Sequence, residues 1–269
     1  MTRTAVLTLA GLTGVAAMLA VSTASPARQV PVTTVDTPSV QDRLPRPFAI
    51  GERATYDVKY LFASGSGSME VGAIDTVRGR DAYRFSFVLN ASIPWFKIRD
   101  TLQSWVDTAS FNSLRFTQDQ HEGSKNRQRR YEVFPDRAVY TDRGRPEQPS
   151  VPDPLDDVSF LYFVRGLDLK VGAHHEFGRY FKPESNPVKL TVLRQETITV
   201  PLGRFKTIVV QPIIKAGGLF GEKGQALMWL TDDSARMIVQ VKIDMPIVGT
   251  LTLALKSYQP ALIPPPRRP

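Results

Sequence analysis

The sequence predicts a mainly β protein: a large curled antiparallel sheet, a half-barrel or barrel, wrapped on one central α-helix. Three observations carry this. Apolar and polar residues alternate with period two through most of residues 48–258. Short turns join the alternating segments, which makes successive strands antiparallel neighbours. One stretch, Asp153–Gly166, has the punctuation of a helix and is apolar nearly all round, so something must cover it.

The elements follow in order. Ala54, Tyr56, Val58, Tyr60 and Phe62 alternate with Arg53, Thr55, Asp57 and Lys59, a half-buried strand. Ser64–Ser68 reads as a turn before Met69, Val71 and Ala73, and Arg78–Asp81 as a turn before Tyr83, Phe85, Phe87 and Leu89. Further alternation occupies 101–108, 113–120, 128–134 and 137–141, ahead of a Pro-rich loop at 146–154. In the helix, Asp153 is placed to cap, Pro154 suits the first position, and Asp156 and Asp157 sit at the positive end of the dipole. Arg165 falls in the last turn, and Gly166 is free to turn left-handed.

Strands resume at Val188–Val192, Glu196–Val200 and, after the Pro201-Leu202-Gly203 turn, Phe205–Pro212. Gln225–Thr231 carries Trp229, Asp232-Asp233-Ser234 turns the chain into Met237–Ile243, and Gly249 opens the last strand with Leu251, Leu253 and Leu255. About a dozen twisted strands cannot stay flat and must curl or close. Alternation on both sides of the helix makes residues 48–258 one domain.

The flanks differ in kind. Met1–Thr4 is a short positive start, Ala5–Val21 an uncharged apolar run, and small residues follow with cleavage expected after Ala24 or Ala27. Residues 1–24 are therefore expected to be a removed signal peptide and the mature protein periplasmic. With no cysteine in the chain, no lipid anchor, disulfide or thiolate metal site is available. Residues 25–47 form a Pro-rich tether, and 259–269 a Pro/Arg tail. The formal charge of +8 is shared with these flanks: residues 48–258 hold 28 basic and 24 acidic side chains. That mild excess, without aromatic and basic interleaving, does not mark a nucleic-acid binder.

Five motifs then appear in order: Phe48-x-x-Gly51-Glu52-x-x-x-Tyr56; Asp157-x-Ser159-x-x-Tyr162-x-x-Arg165; Glu196-x-Ile198-x-Val200-Pro201-x-Gly203-x-Phe205-x-Thr207; Trp229-Leu230-Thr231-Asp232-Asp233; and Gly249. Over roughly 48–258 this resembles the bacterial exported family known as domain of unknown function 3108. The resemblance implies a mostly β envelope protein without an established activity. The expected shape is also similar to that of the periplasmic lipoprotein carriers of the LolA and LolB type, a likeness of form that does not carry function.

Catalytic signatures are sparse. His174-His175 would point to opposite faces of a strand, and a loop is the expected setting; no spaced third ligand accompanies them, so no metal and no cofactor is expected. Asp156-Asp157 and Asp232-Asp233 are the carboxylate pairs that an envelope hydrolase would use. A helix start and a hairpin turn account for the same residues.

The leading expectation is a non-enzymatic protein holding a hydrophobic or amphipathic envelope ligand, a lipid or lipoprotein-like molecule. Its candidate ligand-binding residues are Trp95 and Phe96 in one apolar segment, Leu219 and Phe220 in another, and Phe160 and Phe163 on the helix. Lys125, Arg127, Arg129 and Arg130 are candidates for contact with an anionic surface, including peripheral contact with a membrane. A scaffold binding a protein partner through a sheet edge or the basic rim is the third reading. Oligomeric state and ligand identity are not written in the sequence.

Overall fold

The structure is a computed structural model, and it describes residues 46–60, 63–93, 96–122, 124–214, 225–245 and 249–261. The leader, most of the tether, the end of the tail, Trp95, Leu219 and Phe220 lie outside the described residues. Among the described residues no helix is long and apolar enough to cross a membrane.

Among the described residues fourteen strands form one antiparallel sheet. They are β1 (Arg53–Tyr60), β2 (Ala63–Val77), β3 (Arg80–Ile93), β4 (Phe96–Asp107), β5 (Ser113–Glu122), β6 (Lys125–Phe134) and β7 (Val139–Asp142). After β8 (Gln148–Pro149) comes the helix α1 (Asp157–Arg165), then β9 (His174–Phe177), β10 (Val188–Val200) and β11 (Gly203–Ile213). The last three are β12 (Gln225–Thr231), β13 (Ile238–Met245) and β14 (Gly249–Gln259). The spatial order is β8-β7-β6-β5-β4-β3-β2-β1-β14-β13-β12-β11-β10-β9, so the sheet is open, with β8 and β9 at its edges. The predicted class holds, in its unclosed form.

Five details depart from the sequence reading. Ser64–Ser68 is strand: β2 begins at Ala63, and Gly65 lets it approach β3 where a Cβ would collide with the Asn90 carbonyl oxygen. Val188–Val192 and Glu196–Val200 are one strand, β10, broken in register between Val192 and Arg194. His174 and His175 lie in the short edge strand β9 rather than a loop. The helix begins three residues later than expected, at Asp157, with Asp156 as its cap. Leu155 is extended because it bridges Tyr180 in parallel, and the Pro154 carbonyl accepts from Ser113 N. Gly166 stays right-handed at φ −84°.

That bridge closes the seam between the two edges. Leu155 N donates to Arg179 O at 2.6 Å, Phe181 N donates to Leu155 O at 2.9 Å, and Ser150 Oγ donates to Phe181 O at 2.7 Å. Phe181 is fully buried, its ring edge-on to Tyr131 at 5.0 Å and Tyr140 at 5.3 Å. Edge strands of two and four residues leave little backbone open to pairing with another chain. Phe181→Ala should cost about 3–5 kcal/mol in urea unfolding. Hydrogen exchange in the variant should rise first in β7–β9.

Candidate functional site

The site begins with a helix whose ends are far from water. Val158 to Arg165 are all buried, yet the first amides and last carbonyls of a helix need partners. At the start, Asp156 is wholly buried and its Oδ1 accepts from Val158 N and Ser159 N, each at 2.9 Å. Asp156 N in turn donates to Ser159 Oγ at 2.7 Å, completing a capping box. Its Oδ2 accepts from the Ser104 and Ser113 hydroxyls at 2.5 and 2.7 Å, which ties the helix to β4 and β5. Burial raises the Asp156 pKa, and these hydrogen bonds oppose the rise.

Asp157 accepts from Tyr180 Oη at 3.2 Å and from Gln118 Nε2 at 3.4 Å. Burial first, and the neighbouring Asp156 charge second, push its pKa up to about 7. The other pair is a turn: Asp233 Oδ1 accepts from Thr231 Oγ1, Ala235 N and Arg236 N, and Asp232 pairs with Arg236 at 3.3 Å. Capping and turn formation thus engage the carboxylates that a hydrolase would need.

At the other helix end Arg165, 3% exposed in its side chain, donates to Glu52 Oε1 at 2.5 Å and Oε2 at 3.1 Å. Its second terminal nitrogen also reaches the carbonyls of Pro47 at 2.6 Å and Ala235 at 3.0 Å. Phe48 and Tyr162 flank the guanidinium, and Tyr56 Oη donates to the Ile238 carbonyl at 3.0 Å. The first two motifs of the sequence are therefore two halves of one buried junction.

The helix itself is core. Tyr162 stacks on Phe85 with centroids 4.0 Å apart, Phe163 meets Phe177 edge-on at 5.1 Å, and Arg179 lies over Phe163. Phe160 and Phe163, candidate ligand contacts from the sequence, are both buried in this packing.

Its reach is short. Nine residues of helix span roughly 13.5 Å, whereas the fourteen residues of β3 extend for about 45 Å. Beyond Phe85, where Tyr162 rests, Leu89 and Ala91 lie roughly 13 and 20 Å further along the same concave face.

Register defines what continues there. Ile98, Ala91, Gly65, Val58, Leu253, Val241, Met228, Val210 and Val192 are successive Cα partners from β4 through to β10. This apolar belt crosses nine neighbouring strands. Towards β5 and β6 the inward positions turn polar: Gln118 and Gln120 are half-buried, Arg129 donates to Asp142 at 2.7 Å, and Arg127 is exposed opposite Gln120. The belt residues from Ala91 to Val192 that carry a side chain are buried in the same core as the helix, and the inward face is polar in one corner.

The remaining candidates divide. Arg130 is outward and paired with Asp119 at 3.1 Å, and Arg129 with Asp142. Arg127 has no carboxylate partner among the described residues, and the side chains of Lys125 and Phe96 lie outside the described set although both residues fall in strands. The histidines meet Thr191 Oγ1 and the Asp168 carbonyl. Sequence reasoning missed Ser104, Ser113, Tyr180 and Phe181, since small polar and aromatic residues on strands and loops carry no spacing that announces a contact 23 to 52 residues away.

An open curled antiparallel sheet around one buried helix defines a β-barrel-like class of protein. The crystal structure of a β-barrel-like protein of domain of unknown function DUF1849 from Brucella abortus is similar to it: TM-score 0.53 at 10% identity, covering 80% of this chain and 99% of that one. The hypothetical protein CT021 from Chlamydia trachomatis matches at TM-score 0.36 and 8% identity, covering 79% of this chain and 88% of that one. No curated protein matches the sequence. Within that class the chain belongs to the family described as protein of unknown function (DUF3108), whose family model matches residues 55–256.

Two outcomes test the helix ends. Replacing Arg165 by Met leaves Glu52 buried and unpaired and should cost about 3–5 kcal/mol, whereas the double variant Glu52→Gln, Arg165→Met should recover much of that in chemical unfolding. A carboxyl raised on folding contributes stability that is full below its unfolded pKa and is lost as pH rises through the folded value. Thermal stability should therefore fall between about pH 4 and pH 7 through Asp157. Asp157→Asn should flatten that part of the profile.

Proposed function

We propose that the protein is a non-catalytic binding protein of the cell envelope that holds a hydrophobic or amphipathic ligand on the concave side of its sheet. The observation that carries the reading is the nine-strand apolar belt, buried in the same core as the helix, which gives way to polar inward positions at Gln118, Gln120 and Arg127. An apolar body would lie along the belt, where each buried methylene contributes about 0.8 kcal/mol. A polar head would meet the glutamines and Arg127.

The leader sequence and the absence of cysteine support export into the periplasm without a lipid anchor. Occupied capping and turn roles for Asp156 and Asp233 favour binding over hydrolysis.

Native mass spectrometry of protein purified from its own host is expected to show a bound lipid-sized species. Ala91→Trp, which fills the belt, should lose that species while unfolding remains cooperative. Protein that carries no small molecule when isolated from its host would overturn the reading.

A further inference from the structure

The outer face of the sheet carries a hollow of its own. Val77, Ala82 and Leu114 form a small apolar cluster apart from the main core, and half-buried Trp105 packs against it. Trp105 Nε1 donates to Asp75 Oδ2 at 2.8 Å, which ties the indole of β4 across β3 to β2.

Register places the rest. Ser86, Gln103, Thr117 and Arg130 are successive Cα partners from β3 to β6. Trp105, Arg115 and Glu132 form the adjoining row, two residues along each strand, so period two puts both rows on one face. Thr117 is the short side chain in the middle. Gln103 and Arg130 stand across from it, and Arg115 and Asp119 stand before and after it on β5. A small residue ringed by long ones leaves a groove of about 340 Å³, at the small end of the range for ligand sites.

The lining is polar in both senses. Arg115 Nε donates to Glu132 Oε1 at 2.5 Å, and Arg130 Nη2 donates to both Asp119 oxygens, at 3.1 and 3.3 Å. Arg78, outside the groove, also holds Glu132. Within the groove two guanidiniums are matched by two carboxylates, so no excess positive charge selects an anion. Hydrogen-bonding capacity is left over. The terminal nitrogens of Arg115 have no acceptor, and Gln103 Oε1 no donor, among the described residues. The four charged side chains are between 33% and 44% exposed, within reach of a ligand.

A ligand suited to this lining donates and accepts hydrogen bonds, carries no charge and offers an apolar face to Trp105. Sugars meet all three conditions. Their hydroxyls both donate and accept, neighbouring hydroxyls match the paired atoms of guanidinium and carboxylate, and the C–H face of a pyranose packs on an aromatic ring. Arg115 lies 5.6 Å from the indole centroid, so ring and guanidinium together make one wall.

We propose that this groove binds a disaccharide-sized segment of an uncharged glycan, with Thr117 at its floor. The groove lies on the face opposite the concave ligand, and neither reading depends on the other.

The test is isothermal titration calorimetry of protein made from the full chain with chitotetraose, cellotetraose and maltotetraose. At least one should bind with a dissociation constant below about 1 mM, and inorganic phosphate should not compete. Thr117→Tyr fills the floor and should weaken binding at least tenfold with unchanged thermal unfolding. Gln103→Ala removes one amide from the rim and should weaken binding about threefold; it decides the question if the tyrosine disturbs folding. The same exchange at an exposed position of β10, Thr199→Tyr, should bind as the parent does. Failure of all three oligosaccharides to bind, or parental affinity in either groove variant, would overturn the proposal. Displacement by phosphate would also overturn it, by showing an anion site.

Discussion

A short helix buried on all sides must find its polar partners inside the protein, and this requirement organises the fold. Water cannot satisfy the first amides of α1, so Asp156 does, held by hydroxyls from β4 and β5. Charge cannot leave the last turn, so Arg165 is matched by Glu52 from the start of β1 and by carbonyls of Pro47 and Ala235. The sheet therefore curls around fixed polar attachments as well as around apolar bulk. An unpaired member at either end would leave a desolvated charge in the core.

The same attachments position the candidate site by limiting the helix. It is anchored between the β4–β5 turn, the start of β1 and the β12–β13 turn, and nine residues take it no further. Strands of up to fifteen residues continue beyond it with their apolar face still turned inward.

Much of the architecture was legible because strand alternation is a local property. Tyr83, Phe85, Phe87 and Leu89 announce an inward face without knowledge of what they face. Where local signals conflicted, tertiary contacts won. Ser64–Ser68 has a turn's composition, yet it is strand because Gly65 permits the close approach of Asn90. Asp153 and Pro154 look like a helix start, yet the bridge from Leu155 to Tyr180 keeps the chain extended until Asp156. Of the candidate site residues, Phe160 and Phe163 were readable as buried. The pairing of Arg129 and Arg130 with Asp142 and Asp119 was not, because it depends on which strands adjoin.

By itself the sequence determined a β-rich chain, an apolar helix and the family motifs, since each is written in residue type and short-range period. Only the tertiary structure decided that Glu52 and Arg165, 113 positions apart, form one buried pair. It alone aligned nine strands into an apolar belt. Those facts depend on register and on distance through space, and neither quantity exists until the sheet has formed.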